Sequence, residues 1–374
     1  MFRVGLLAVV VCLGRAAHLQ DSTSPQELLK AAIEAQQAGH NQEAIKDYRE
    51  ILKNYPQVFA VRSNLGAALA GEGRYAEAIS EYERALELQP NPQVKLNLAL
   101  AYYKLANYQA AAERLAALHR ELPDNSQVIT VLADSELRLG HNKAVITLLT
   151  PFQRAEASNQ TYSYLLGTAL IRDNQVAKGQ VVIDQILRNG DSPECHLLMG
   201  LVKFQSSEFA GARDDFAKAL ALDPRLPEGQ AYYGMALLST GDQAGARKAF
   251  TTELASDPNN FVANLNMGVL LRQDESYGDA MKYLRQALLI RPADPGVRFQ
   301  MASIEMSEGK LKEATQDLES LVKDSPQFIE AHVALATVYF REKRKTDGER
   351  ERATYAKLNA EREAKNELAA QPAQ

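Results

Sequence analysis

Apolar and polar residues follow a helical period along most of this chain, and the pattern recurs about every 34 residues. Between residues 59 and 93, apolar positions at helical spacing predict a first helix that a Gly-Glu-Gly turn ends at 71–73. A second helix is predicted from Tyr75 to Leu88. The Gln-Pro-Asn-Pro run at 89–92 ends it, because proline lacks an amide proton and restricts the residue before it. Each such segment therefore predicts one helix-turn-helix unit.

An alanine marks the same place in most of these segments, at intervals of 33 or 34 residues or whole multiples of that: Ala44, Ala78, Ala111, Ala212, Ala246, Ala280 and Ala314. Val145, Gly179 and Gly348 fall on the same register, which gives ten units. A unit of two helices can bury its apolar face only against its neighbours. The pattern thus predicts a linear array of stacked units.

Other residues recur at fixed places when the alanine is numbered position 20. Leu65-Gly66, Tyr82 and Pro90 show the pattern of positions 7–8, 24 and 32. This pattern resembles the tetratricopeptide repeat (TPR), over about residues 25–352, although the tryptophan that many members carry at position 4 is missing. The resemblance implies glycine at position 15 and an all-α fold, a right-handed superhelical solenoid of about ten helix-turn-helix units. Small residues at positions 8 and 20 are expected to bring the two helices close together beside a bulky position 24.

The N-terminal residues lie outside the array. Arg3 precedes an apolar run from Val4 to Leu13 and small residues at 16–17, an arrangement typical of a secretory signal peptide. We therefore expect an exported protein, periplasmic or secreted, with no stable membrane span after cleavage. The alternative is an uncleaved N-terminal membrane anchor, for which the run is short. The predicted organisation is a signal peptide at 1–17, a linker at 18–24, the repeat array at 25–362 and a disordered tail at 363–374.

Repeats four and five depart from the pattern, because position 20 is Val145 and then Gly179. Pro151 falls inside the second helix of repeat four, where proline breaks or kinks a helix. A kinked or shortened helix is therefore predicted at 148–153. This irregularity has two interpretations, a drifting repeat without consequence or a hinge in the array.

Composition and motifs favour a non-catalytic protein. The net charge of −5 gives no electrostatic footprint for nucleic acid. The sequence has no phosphate-binding loop, nucleophile elbow or metal-ligand spacing, so we expect no enzyme activity, cofactor or metal. Cys195, at an apolar position of its unit, is expected to be a small buried side chain.

The family resemblance implies that first helices line a concave groove that binds a partner protein or peptide. Carried onto this chain, the groove positions are apolar and aromatic with some arginine, a composition suited to peptide capture. Asparagine at position 6 suits a peptide backbone because its amide both donates and accepts hydrogen bonds. The alternative is that some of these residues pack between repeats. The predicted groove residues are Asn64, Asn97, Tyr103, Leu137, Tyr164, Ile171, Phe204, Met235, Leu238, Asn266 and Arg272.

The sequence therefore predicts an exported protein-interaction scaffold that binds a partner segment in its groove. The alternative is a structural or envelope-assembly component that self-associates or docks through its convex face or its charged C-terminal end. That end, residues 341–367, is dense in mixed charge. It is interpreted as a polar cap on the last repeat or, alternatively, as a docking site for a charged partner.

Overall fold

The computed structural model of the protein describes residues 24–153, 156, 159–188 and 190–370. The predicted signal peptide, most of the predicted linker and the last four residues of the predicted tail lie outside these residues. Within them the chain forms helices joined by short turns, without a strand. The helices are α1 (Pro25–Gln37), α2 (Asn41–Asn54), α3 (Phe59–Gly71), α4 (Tyr75–Leu88), α5 (Pro92–Lys104), α6 (Tyr108–Glu121), α7 (Ser126–Leu139), α8 (Asn142–Leu149), α9 (Gln160–Arg172), α10 (Val176–Arg188), α11 (Pro193–Gln205), α12 (Phe209–Leu222), α13 (Gly229–Ser239), α14 (Gln243–Ser256), α15 (Phe261–Gln273), α16 (Tyr277–Ile290), α17 (Pro295–Ser307), α18 (Leu311–Asp324), α19 (Ile329–Arg341) and α20 (Lys345–Ala370).

These helices pair in chain order into ten helix-turn-helix units, which confirms the predicted all-α solenoid for the part of the chain described. The chain divides into two compact units, residues 1–190 and 191–374. Helices α1–α10 belong to the first, which we call unit 1, and α11–α20 to the second, unit 2. Within each unit, every helix packs against the helix before it and the helix after it.

The turn between the two helices of a repeat has the same backbone conformation in all ten units. The residue at position 15 is left-handed in each: Gly39, Gly73, Ala106, Gly140, Asn174, Ser207, Gly241, Glu275, Gly309 and Lys343. Glycine adopts this conformation freely, whereas a residue with a Cβ is disfavoured by about 1–2 kcal/mol. The glycine at position 15 that the family resemblance implies therefore serves the left-handed backbone of the turn. Five of the ten repeats have a residue other than glycine there.

The two helices of a repeat touch where a small residue faces a large one. A Cβ built on Gly200 would lie 2.5 Å from Cε1 of Phe216, and one on Gly66 would lie 2.6 Å from Cε1 of Tyr82. All seven recurring alanines at position 20 are fully buried. The close approach predicted from positions 8, 20 and 24 is therefore confirmed.

Repeat four has the predicted short second helix. Helix α8 ends at Leu149 and continues as a single 3-10 turn, Thr150–Phe152, which contains Pro151. The hydroxyl of Tyr162 on α9 donates a hydrogen bond to the Leu149 carbonyl, one of the acceptors that the early helix end leaves free. Whether this place acts as a hinge stays a prediction.

The C-terminal helix differs from the other second helices in length. Helix α20 has 26 residues, whereas α18 has 14. It runs to Ala370 and therefore passes the predicted end of the array at 362, because its sequence contains no proline before Pro372. From Lys345 onward, the cap predicted at 341–367 is thus part of one long helix.

The left-handed turn can be tested with one type of substitution at two places in the same repeat. We expect Ala106→Gly to raise the free energy of unfolding by about 0.5–1 kcal/mol, because it relieves strain at φ 58°. The matched change Ala116→Gly, at an exposed position inside α6, should lower it by about 1 kcal/mol. Urea denaturation measures both values. Two losses of equal size would contradict the strain at position 15.

Candidate protein-binding surface

The first helices of the repeats form one layer in each unit. In unit 2, α11 contacts α13, α13 contacts α15, α15 contacts α17 and α17 contacts α19. The first helices of unit 1 contact one another in the same way. We call these two layers the first-helix layer of unit 1 and the first-helix layer of unit 2. Together they carry all of the predicted groove residues.

Four predicted groove residues in unit 1 are buried instead. Asn64, Asn97 and Leu137 lie in the core, and Ile171 is only 1% exposed. Ile171 packs over Gly179, where an added Cβ would lie 2.7 Å from its Cγ1. Because glycine replaces the usual alanine at position 20 of this repeat, the isoleucine turns inward and fills the space. These four side chains therefore pack inside unit 1, and a role for them in binding stays a prediction.

Tyr103 and Tyr164, the other two predicted residues of unit 1, are half-buried. The Tyr103 hydroxyl donates to Oδ2 of Asp134 on α7. Arg138 Nε lies 3.1 Å from the same carboxylate, and its guanidinium carbon lies 5.7 Å from the Tyr103 ring centre. Burial, and then the charge of Asp134, raise the pKa of Tyr103, so the hydroxyl is a neutral donor. Tyr103 thus joins α5 to α7 rather than standing free.

The predicted residues of unit 2 are all partly accessible. Phe204 on α11 and Met235 and Leu238 on α13 are apolar and half-buried. Asn266 on α15 donates from Nδ2 to the Val262 carbonyl at 2.8 Å, so its amide proton serves its own helix. The accessible apolar part of the predicted groove therefore lies mainly on α11 and α13.

A cavity of about 650 Å³ lies at the C-terminal end of the same layer. Residues of α15, α17, α19 and α20 line it, and we call it the C-terminal pocket. Its apolar lining includes Phe299, Met306, Val333 and Tyr355. Its charged lining is three arginines and one glutamate: Arg272, Arg341, Arg362 and Glu330. Its size and mixed lining are those of a binding pocket.

The three arginines have weak or neutral partners among the described residues. Arg272 Nε donates to Oε1 of Gln300 at 2.9 Å. Arg341 Nη1 donates to the Met306 carbonyl at 3.4 Å. Arg362 donates from Nη2 to Oδ1 of Asn359 at 2.8 Å, and its Nη1 approaches Glu330 at 3.9 Å, with the side chains of Arg362 and Glu330 about half exposed. Donors of all three guanidinium groups thus remain free to bind an added anion.

A smaller cavity of about 340 Å³ adjoins the C-terminal pocket and shares Val333 and Tyr355 with it. Phe340 also lines this cavity. Val333, Phe340 and Tyr355 are 43%, 38% and 36% exposed, respectively. Three large apolar side chains therefore form an exposed patch where α19 meets α20.

A buried polar pair positions α20 against α19. His332 Nδ1 lies 2.7 Å from Oε2 of Glu351, and its Nε2 lies 3.0 Å from the Pro326 carbonyl. Both side chains are almost fully buried. A Cβ built on Gly348 would lie 2.8 Å from Phe340, so the start of α20 lies directly on α19. These contacts hold the start of α20 against α19, and α20 contributes Tyr355 and Arg362 to the C-terminal pocket.

Sequence reasoning identified Arg272 as a groove residue and offered 341–367 as an alternative docking site for a charged partner, but it missed the lining residues on α17 and most of those on α19. Two of the other lining residues, Tyr355 and Arg362, come from the long capping helix α20, and the rest come from α17 and α19. Two features of the sequence could have indicated this pocket and the helix contact beside it: His332 in an apolar helix, and Tyr355 in a helix otherwise rich in charge.

Comparisons with known proteins agree with this architecture. Two sequence profiles described as tetratricopeptide repeat match residues 29–93, 197–261 and 234–297, and residues 69–135, respectively. Together they cover more than half of the chain, so the chain belongs to the tetratricopeptide-repeat family. Proteins of this family are generally non-catalytic scaffolds for protein interactions.

Two characterised proteins share part of this sequence. The DnaJ homolog subfamily C member 7 homolog of Schizosaccharomyces pombe is 27% identical over 180 residues, 43% of this chain and 38% of that protein. The small glutamine-rich tetratricopeptide repeat-containing protein 2 of Mycosarcoma maydis is 30% identical over 118 residues, 31% of this chain and 33% of that protein. The chain thus spans little more than a third of the length of these relatives.

Among solved structures, the APC/C hetero-tetramer Cut9-Hcn1 contains a similar chain, with a TM-score of 0.57 and 12% identity. The match covers 91% of this chain and 88% of that one. At this identity the likeness shows the fold.

The described residues contain no group of three or more histidine, cysteine, aspartate or glutamate residues placed to hold a metal ion. They also contain no helix that is long and apolar enough to cross a membrane.

The buried pair behind the C-terminal pocket can be tested by removing its carboxylate. We expect Glu351→Ala to lower the free energy of unfolding by about 2 kcal/mol, because it leaves the buried Nδ1 of His332 without a hydrogen-bond partner. Hydrogen exchange in α20 should also become faster. The control Glu349→Ala, at an exposed position of the same helix, should change stability by less than about 0.5 kcal/mol. Equal effects of the two substitutions would show that the pair does not hold α20.

Proposed function

We propose that this protein is an exported, non-catalytic scaffold that binds a segment of a partner protein along the first-helix layer of unit 2. The observation that carries the proposal is the accessibility of apolar side chains on α11 and α13. Phe204, Met235 and Leu238 are half-buried there, while their helix neighbours Leu201 and Leu237 are buried in the core. Apolar surface left accessible in a row is typical of interaction sites.

Family membership and local geometry support a protein ligand. Phe204 packs edge-on against Phe209, with ring centres 5.2 Å apart, so its orientation is fixed before a partner binds. A rigid aromatic side chain loses little conformational entropy on binding.

Export is proposed from residues 1–17, and N-terminal sequencing of the protein recovered from its native source would test it. A chain that still begins at Met1 would contradict cleavage.

The binding surface on α11 and α13 can be tested with the double variant Phe204→Arg/Leu238→Arg. The wild-type chain and this variant are each crosslinked to partners in native extract, and the crosslinked proteins are recovered and compared. We expect a protein that is recovered with the wild-type chain to be lost with this variant, because arginine replaces the apolar contact. Helical circular dichroism should be unchanged, since both side chains are only half-buried.

The matched control is Leu222→Arg/Leu289→Arg, which makes the same chemical change on second helices. Leu289 is 73% exposed and Leu222 ends α12, so neither belongs to the first-helix layer. This control should retain the partner. If it loses the partner while the groove variant retains it, the convex face is the functional surface, as the alternative of self-association or envelope assembly requires.

A further inference from the structure

We infer that the C-terminal pocket binds an acidic, apolar segment of the partner: carboxylates contact its arginines, and an aliphatic or aromatic side chain covers the patch formed by Val333, Phe340 and Tyr355. This inference rests on the proposed function, because it assumes a protein ligand on the first-helix layer. It adds the chemistry of that ligand and the end of the layer at which it is bound.

The charge of the C-terminal pocket differs in sign from that of the whole protein. The chain has a net charge of −5, yet three arginines face one glutamate in the pocket lining. One glutamate does not balance three arginines, and an anionic ligand relieves the repulsion that remains among them. The pocket therefore complements a segment with more than one carboxylate.

The arginines are also placed to donate hydrogen bonds to carboxylates. Arg272 and Arg341 donate to an amide and to a backbone carbonyl, which are neutral acceptors. A guanidinium group pairs with a carboxylate through two parallel hydrogen bonds, and such charge-assisted bonds are about twice as strong as neutral ones. Arg362 and Glu330 are about half exposed and 3.9 Å apart, so a ligand carboxylate can compete for this arginine.

The apolar half of the ligand follows from the exposed patch. Val333 and Tyr355 line both cavities, so a side chain placed over them is continuous with the arginines. Water contact with these apolar side chains is unfavourable, so a ligand that covers them gains affinity. A segment with charge alone would leave this surface uncovered, and an apolar segment alone would leave the arginines unpaired.

The test uses defined peptides and the full mature chain. The probe is a short labelled peptide that alternates glutamate with leucine, and binding is measured by fluorescence anisotropy at low and at physiological salt. Matched peptides carry glutamine or lysine in place of glutamate, and serine in place of leucine. We expect the glutamate–leucine peptide to bind at least about tenfold more tightly than each of the others.

Two charge-neutralising variants localise the binding. Arg341→Gln/Arg362→Gln should remove the preference for glutamate over glutamine. The control Arg225→Gln/Arg285→Gln removes the same charge from exposed positions outside the pocket lining and should keep the preference. Both variants should retain wild-type circular dichroism, because the side chains that are replaced lie at the surface.

Equal binding of the glutamate and glutamine peptides by the wild-type chain would overturn the inference, as would a preference that survives in Arg341→Gln/Arg362→Gln. These outcomes are separate from those of the groove variant Phe204→Arg/Leu238→Arg. Loss of the partner in that variant, with no preference for glutamate, would leave the proposed function intact and remove only the acidic ligand.

Discussion

The close contact between the two helices of a repeat is the constraint on which the rest of this structure depends. Gly200 lies against the Phe216 ring, and Gly66 against Tyr82, with no room for an added Cβ. Side chains at position 20 are limited to alanine for the same reason in most repeats. A helix pair held this closely has few core residues of its own, so it must bury its outer apolar faces against the next pair. The array, its turn geometry and its need for a terminal cap all follow from that limitation.

The elements that recur could be predicted from the sequence, and those that do not recur could not. The 34-residue period, the turn and the small-residue contact are each repeated, so a weak signal in one unit is supported by the others. Ile171 shows the opposite case. Its burial depends on the single glycine at position 179, which removes a methyl group from a site that alanine fills elsewhere. Asn64 and Asn97 were also assigned from position alone, although burial depends on how neighbouring helices close over them.

Repeat four shows how a local break can be contained within the array. Pro151 ends α8 after eight residues, and the carbonyls at a helix end require other donors. The Tyr162 hydroxyl, from the first helix of the next repeat, supplies one of them at Leu149. A side chain from the following repeat thus replaces a backbone hydrogen bond. Val145 keeps its place in the repeat, since it is fully buried like the alanines at position 20.

The sequence of α20 combines a polar cap with an exposed aromatic side chain. As a cap, α20 should present only polar residues to solvent, and most of its sequence does so. Tyr355 nevertheless faces outward beside Val333 and Phe340, although a polar residue at this exposed helical position would cost nothing in core packing. The buried His332–Glu351 pair is a second feature that core packing does not require, because apolar residues of similar volume often stabilise a helix contact as well or better. A cap that served stability alone would need neither feature. Both are consistent with a helix that is held in one orientation so that its arginine and its aromatic side chain meet a ligand together.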